Sequence, residues 1–293
     1  MLVTISPNIF WVKAPNQAKF PYSHSLFIKD ESNVLIDTSC GHENINFLHK
    51  QGINVIINSH FHEDHILNNN LFKEAEVWVH RDDAPAVKSL DTFAAYYGFT
   101  ELDVIKLGQE FITSINLKPS QVDRELNADE VLDFGQVKLH VIHTPGHTPG
   151  HCCFYEEKNG LLFLGDIDLS SFGPWYGHMC SDIDDFINSI KLCIELDPAL
   201  AISGHKGLFT GDIKPHLKKY LEKIYITQDL ILKTLAIPHT LEELTDEQIF
   251  YGKRIVLDPL YRVMEKMAII LHLKRLIKLG LIQFSDNLYY LSD

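Results

Sequence analysis

Short apolar runs broken by Asn, Asp, Pro and Ser punctuate the first sixty positions and predict strands at Phe10 to Val12, Ser25 to Ile28 and Val34 to Ile36. The stretch from His42 to Lys50 predicts a helix ended by Gly52. Val55 to Asn58 is a continuous apolar run of the kind buried inside a sheet. Val77 to His80 predicts another short strand, and 83–115, with its aromatic FAAYYGF segment, a helical or looped insertion. Val137 to His143 alternates apolar and polar positions, Cys152 to Tyr155 and Leu161 to Leu164 pair around an EEKNG turn, and Ile183 to Leu196 has helical periodicity. Strands alternating with helices predict a layered α/β architecture.

After Asp212 the pattern turns helical. Pro215 to Ala236 is stopped by Pro238, Thr240 to Tyr251 opens with Thr240 and Glu243 as a capping box, and Arg262 to Leu279 ends at Gly280. On the third helix Ile269, Ile270, Leu273, Leu276 and Ile277 fall in one arc, opposite Lys274, Arg275 and Lys278, which predicts a basic outer face. The tail LIQFSDNLYYL reads as a hairpin turning at Ser285 to Asn287. Three helices and a hairpin follow the order of a winged helix, so we expect a catalytic domain over 1–212 and a mostly helical, winged-helix-like domain over 213–293.

With 293 residues, 45% hydrophobic and 22% charged, the chain has ample material for a globular core. It holds no uninterrupted apolar stretch of bilayer length, and MLVTISPNIFWVKAP lacks the features of a secretory signal, so we expect a cytoplasmic protein without a membrane partner. Five cysteines without CxxC spacing read as reduced thiols. The net charge of −13 opposes a chain whose main task is gripping phosphate. From Asp212 onward 12 Lys and Arg face 11 Asp and Glu, whereas the residues before it hold 14 against 28. A domain boundary would explain that change. There are also 16 histidines, and their positions carry the chemistry.

HFHEDH places His60, His62, Asp64 and His65 directly after the apolar run Val55 to Asn58. Four such groups crowded at the carboxyl end of a buried strand repel and desolvate one another unless cations hold them. His147 lies in TPGHTPGH after the Val137 to His143 strand, Asp166 ends an apolar strand in LLFLGDID, and His205 follows a short apolar run in AISGHKG. Each alone has an ordinary explanation as a turn histidine or capping aspartate. Together with HFHEDH they predict a metal centre.

At these residues the chain resembles the metallo-β-lactamase fold superfamily, over roughly 1–212: HFHEDH matches its HxHxDH motif, and the later His, Asp and His come in its order. The resemblance implies an α/β, four-layer αββα sandwich. It implies that His60, His62 and His147 hold one metal, that Asp64, His65 and His205 hold a second, and that Asp166 bridges both. The implied activity is a dinuclear metallo-hydrolase, with zinc first and iron or manganese as alternatives. In it a hydroxide shared by the metals attacks a small ester, thioester or lactone, and Asp64 could take up the proton. Asp166 sets the chain apart from true β-lactamases and brings it closer to the glyoxalase II-like and lactonase-like branches. Ile66, Leu67 and Asn68 stand where the family usually has glycines, and Ser59 where Thr is common, so the turn after His65 is expected to differ. The tail resembles the winged-helix appendix of some members, including an endoribonuclease.

Two other activities share these residues. A branch of the superfamily uses two histidines and one aspartate on a single iron, which would make a dioxygenase acting on sulfur compounds. A nuclease or nucleic-acid binder would use Arg262 to Leu279, with Lys266, Lys274, Arg275 and Lys278, and the hairpin. Against it, the tail would instead cover the site mouth or form a homo-oligomer contact.

Tyr176 and His178, about ten positions after Asp166, are candidates to donate to a substrate oxygen, weighed against ordinary packing. His151 is expected to support the ligands or to be buried in a strand, and Asp37 to make turn bonds or bonds to the ligands. Phe93, Tyr96, Tyr97 and Phe99 would line an acyl pocket or fill a small satellite core. The histidines at 24, 42, 49, 80, 140, 143, 216, 239 and 272 have no companion in the sequence.

Overall fold

The computed structural model describes residues 2–252 and 258–292. A seven-stranded sheet runs in chain order through β1 (Leu2–Ser6), β2 (Ile9–Val12), β3 (Ser25–Ile28), β4 (Val34–Ile36), β5 (Val55–Asn58), β6 (Glu76–His80) and β7 (Arg124–Leu126). Its first half is antiparallel, and from β4 to β7 neighbours are parallel. A six-stranded sheet comprises β8 (Val131–Asp133), β9 (Lys138–His143), β10 (Cys152–Glu156), β11 (Leu161–Phe163), β12 (Leu200–Ser203) and β13 (Gly207–Thr210), again ordered by neighbour.

The two-residue period of each strand explains why runs such as Val34–Ile36 are apolar throughout. Val34, Ile36, Val55 and Ile57 face the second sheet and pack on Leu139, Val141, Phe154, Phe163 and Ile202. Leu35 and Ile56 face the other way, onto Ile45 and Leu48 of α1 (His42–His49). In the second sheet Cys153, Leu162 and Ala201 turn outward against α6 (Ile183–Leu196) and α7 (Lys214–Thr234). The result is the expected four-layer αββα sandwich. Truncating Phe154, at the centre of the inner layer, to Ala would cost about 3–5 kcal/mol.

Residues 83–115 form three helices, α3 (Ala84–Lys88), α4 (Leu90–Tyr97) and α5 (Ile105–Ser114). Phe93, Tyr97 and Phe99 are buried there with Phe61 in a satellite core. All five cysteines are free thiols, and four are buried. Among the described residues no helix is long and apolar enough to cross a membrane.

The C-terminal region is helical, as expected, with α8 (Leu241–Asp246), α9 (Pro259–Lys278) and a hairpin of β14 (Ile282–Ser285) and β15 (Leu288–Leu291). Asp286 and Asn287, both with positive φ, form the two-residue turn whose twist suits such a hairpin. The Thr240–Glu243 capping box is present, but α8 ends well before Tyr251. Gln248 adopts φ 56°, and the Glu265 carboxylate accepts the backbone N–H groups of Phe250 and Tyr251 at 3.1 and 2.9 Å.

The predicted basic outer face of α9 holds for Lys274 and Lys278, which are exposed opposite the buried Ile269, Leu273 and Leu276, but not for Arg275, which is half-buried. This helix is buried on several sides: Met267 enters the satellite core, Ala268 and Leu271 pack with α6 and α7, and Ile269, Leu273 and Leu276 pack with α7, α8 and β14. Ile277, placed in the apolar arc, is 44% exposed. The cations meet acids of the same chain: Arg275 and Lys278 bond Asp184 at 2.7 and 3.1 Å, Arg262 bonds Asp246 and Glu242, and Lys266 bonds Glu242. The expected division at 212/213 falls between β13 and α7, and apolar packing crosses it through Ile213, Leu217, Tyr220 and Ile224.

Candidate metal centre

The parallel strands β4, β5 and β6 end on one edge of the first sheet, where Asp37, the HFHEDH segment and Asp83 follow them. In the second sheet β9, β11 and β12 share one direction, and their carboxyl ends lead to His147, Asp166 and His205. The sandwich therefore brings all seven predicted ligand side chains to one rim. Asp64 and His65 lie in α2 (Glu63–Ile66), with His62 as its N-cap residue.

His60 Nε2, His62 Nδ1 and His147 Nε2 converge, with separations of 3.0, 2.9 and 3.3 Å. Asp166 Oδ2 lies 3.4 Å from His147 Nε2 and 3.8 Å from His60 Nε2. Its Oδ1 faces a second group, 3.0 Å from His65 Nε2 and 3.4 Å from His205 Nε2, and Asp64 Oδ2 is 3.4 Å from that same His205 nitrogen. One carboxylate thus spans two sets of converging donor atoms.

Surrounding partners set the ring tautomers. Asp37 Oδ2 takes the Nδ1–H of His65 at 2.7 Å, and Ser59 Oγ, itself donating to Asp37, accepts from His60 Nδ1 at 2.9 Å. The carbonyls of Trp175 and Ala18 take the Nδ1–H groups of His147 and His205 at 2.8 and 2.7 Å. These four histidines are left with bare Nε2 lone pairs aimed at one another. Bare lone pairs at 3 Å repel, and tetrahedral zinc with Zn–N of about 2.0–2.1 Å would space its ligands by about 3.3 Å. His65 Nε2 and Asp166 Oδ1 are buried and lack hydrogen-bond partners, as cation-facing atoms should. The donor set fits a pair of divalent cations.

Electrostatics agree with that geometry. Burial, then the neighbouring imidazoles, hold His60 and His62 well below the usual histidine range, so they stay neutral, the ligating form. Burial opposes charge on Asp166, yet without a cation His65 and His205 take up protons beside it, raised by Asp166 against their own burial, and keep its carboxyl well below the carboxylate range. That positive charge stands where a cation would replace it and return both rings to their neutral, ligating form. Burial raises Asp64.

Supporting residues explain the departures from the family pattern. Ser59 joins Asp37 to His60, and Asn68 and Asn69 tie the turn after His65 to Thr38 and Asn58. His151 accepts the Asp166 N–H at 3.0 Å, which orients the residue whose two oxygens face the two clusters. Asp83, which the sequence did not single out, accepts from Phe61 N and Thr148 Oγ1 through Oδ2 and from Gly150 N through Oδ1, at 2.9, 2.7 and 2.6 Å, clamping the two ligand loops together. Gly146 lets His147 approach α6: a Cβ there would lie 2.1 Å from Phe186 N.

Two expectations change. Tyr176 does not reach the ligands; it is buried, and its hydroxyl lies 3.0 Å from His272 Nε2. His178 does reach the site, but its Nε2 sits 2.6 Å from His62 Nε2, engaged with a ligand ring. The aromatic segment fills the satellite core, with the Tyr97 hydroxyl donating to Glu63 at 2.7 Å. His80 and His143, without a companion in the sequence, meet beside Asp82. Their rings stack at 4.0 Å, so their in-plane lone pairs run side by side and do not converge on an ion.

This fold and rim define the class. Residues 19–205 match the metallo-beta-lactamase superfamily, and the chain belongs to it. Among curated relatives, it is 48% identical over 54 residues to an uncharacterized protein of Aquifex aeolicus (strain VF5), covering 18% of this chain and only 26% of that protein. It is 23% identical over 232 residues to the acyl-coenzyme A thioesterase MBLAC2 of Homo sapiens, covering 71% of this chain and 82% of the relative. A hydroxyacylglutathione hydrolase from Bartonella tribocorum (strain CIP 105476 / IBS 506) is 33% identical over 132 residues, 41% of this chain and 49% of that protein. A metallo-beta-lactamase family protein from Thermus thermophilus shares the fold across 98% of this chain and 100% of its own, with TM-score 0.77 and 22% identity.

Proposed function

We propose that the protein is a dinuclear metal-dependent thioester hydrolase. His60, His62 and His147 would hold one divalent cation, Asp64, His65 and His205 the second, and Asp166 both. The observation that carries this is the orientation of Asp166, one oxygen toward each cluster. Zinc suits the mixed nitrogen and oxygen donors, with iron or manganese as alternatives. A single-iron dioxygenase would use two histidines and one aspartate and leave the remaining converging side chains without a cation.

Cations bound there supply Lewis acidity and hydroxide at neutral pH. The chain's residues do the rest. His205, Asp64 and Asp166 form the accessible edge, with side chains 19, 11 and 12% exposed, so substrate approaches from that side. Asp64, on that accessible edge, is placed to take up a proton. Tyr97 and Trp175, ring centroids 5.6 and 5.4 Å from His62, exclude water from the opposite wall. Thioesters lead esters and lactones as substrates because the named relatives are a thioesterase and a hydroxyacylglutathione hydrolase.

We read the helical tail as a winged-helix-like unit, supported by the single antiparallel bridge of His239 to Tyr289 beside its two-stranded hairpin. Among the described residues Arg262, Lys266, Arg275 and Lys278 of α9 are paired with acids of the same chain, which favours a site-supporting role over nucleic-acid binding. Free thiols favour the cytoplasm. The test is metal content followed by a substrate panel. About two metals per chain, with acyl-thiol cleavage lost in Asp166→Asn, supports the proposal; one iron per chain with oxygen uptake on a sulfur substrate overturns it.

A further inference from the structure

His62 differs from the other four converging histidines. They present Nε2 and anchor Nδ1, whereas His62 presents Nδ1 and leaves Nε2 to be anchored. No carboxylate or carbonyl meets that nitrogen. Instead it lies 2.6 Å from Nε2 of His178, which is fully buried. His178 Nδ1 lies 2.7 Å from Ser181 Oγ, and Ser181 donates to the His147 carbonyl at 2.8 Å.

One placement of hydrogens satisfies this chain of contacts and leaves the His62 Nδ1 lone pair free for a cation; Cys180 Sγ, 3.6 Å from His178 Nδ1, is the remaining neighbour of that nitrogen. The Ser181 hydroxyl hydrogen goes to the His147 carbonyl, so Ser181 Oγ accepts from His178 Nδ1–H. His178 then has a bare Nε2, which accepts from His62 Nε2–H, and His62 Nδ1 is left with its lone pair toward His60 and His147. The carbonyl of one ligand-bearing loop therefore dictates the tautomer of a histidine on the other. Without an acceptor at residue 178, the buried Nε2–H of His62 is orphaned, and the ring gains by moving its proton to Nδ1, the atom that should face the cation.

We infer that His178, with Ser181 behind it, is a positioning residue that locks His62 in the tautomer able to bind metal. This rests on the proposed role of His62 as a ligand. The other ligand histidines take their anchors from Asp37, Ser59 and two backbone carbonyls, so the lock acts on the His60–His62–His147 cluster alone.

The test uses the full chain, zinc ions as probe, and variants His178→Phe, His178→Gln and Ser181→Ala, with thermal unfolding as the check on folding. Zinc affinity is measured by competition with a chromophoric chelator, and the His62 tautomer of the metal-free protein by nitrogen-15 NMR. We expect His178→Phe to weaken one of two zinc sites about 10–100-fold and to shift His62 toward the Nδ1–H form. His178→Gln, whose amide oxygen can accept and whose NH2 can donate to Ser181, should retain both properties. Ser181→Ala should fall between, and it carries the test should His178→Phe not fold. Unchanged zinc affinity and tautomer in a folded His178→Phe, or in Ser181→Ala if only that folds, overturns the inference. Failure of the underlying ligand assignment looks different: His62→Ala would then leave zinc binding intact.

Discussion

Asp83 offers the most direct test of how the two ligand loops are held. Asp83→Ala removes a buried carboxylate that accepts three hydrogen bonds, from Phe61 N, Thr148 Oγ1 and Gly150 N. An orphaned buried donor costs about 1–3 kcal/mol, and Thr148 can turn its hydroxyl elsewhere, so the two backbone donors left behind give an expected loss of about 2–6 kcal/mol. At roughly 2 °C per kcal/mol for a chain of this size, Tm should fall by about 4–12 °C. The pH dependence adds a second signature. Burial pushes the Asp83 carboxyl up to about 7, above the ~3.9 of an unfolded chain. Between those values the native protein binds more protons than the unfolded one, so this group's contribution falls as pH rises, by at most about 1.4 kcal/mol per pH unit. The gap between wild type and variant should therefore be widest at or below about pH 4, smaller at pH 5, and narrowest toward pH 7. Calorimetry across that range, with zinc content measured in parallel, checks both. A Tm within about 1 °C of wild type at pH 5, or a gap that widens as pH rises, would refute the clamp.

Gly146→Ala sets a Cβ 2.1 Å from Phe186 N at a position with φ +121°, so overpacking and strain of about 1–3 kcal/mol each should lower Tm and displace His147, read as lost zinc in elemental analysis. His272 is held down to about 3 by burial, then by Arg275, so its stabilising neutral form is fully present above about 6.5 and is lost as pH falls toward 3. Urea unfolding at pH 7 and pH 5 should show a smaller acid loss in His272→Leu than in wild type. Chelation of the proposed cations should lower Tm by several degrees and re-addition should restore it, since a ligand bound only to the native state stabilises it. Immobilised RNA should not retain the protein at about 50 mM salt, because Arg262, Lys266, Arg275 and Lys278 are already paired and, among the described residues, leave only Lys274 of the α9 cations without an acid; retention that weakens steeply with salt would restore the nucleic-acid alternative.

Much of the fold was legible because each strand's apolar pattern answered to a definite layer. Val55–Asn58 is apolar at successive positions because α1 covers one face and the second sheet the other. HFHEDH was legible for a related reason, since that concentration of ligand types has few uses other than metal. Asp83 and Ala18 were not. Asp83 acts on Gly150, 67 positions away, and nothing in RDDAP distinguishes it from a helix-starting aspartate. Ala18 contributes only a carbonyl, aimed at His205 by three consecutive left-handed residues, Asn16 to Ala18, in a segment whose side chains carry no such signal. Only part of the α9 surface was legible, with Ile277 exposed and Arg275 half-buried, because a helical wheel supposes one buried face and this helix has several neighbours. Tyr176 and His178 were indistinguishable by spacing, yet only His178 meets a ligand.

The burial of α9 has a consequence for the order in which the protein can become competent during synthesis. Met267 closes the satellite core behind Phe61 and the Tyr97 ring, and its methyl lies near Gly98. A nascent chain halted after β13 already carries every proposed ligand, but that wall is missing. The centre can therefore be assembled early and finished late. The last long helix backs the inner wall of a site whose converging side chains are all synthesised before it.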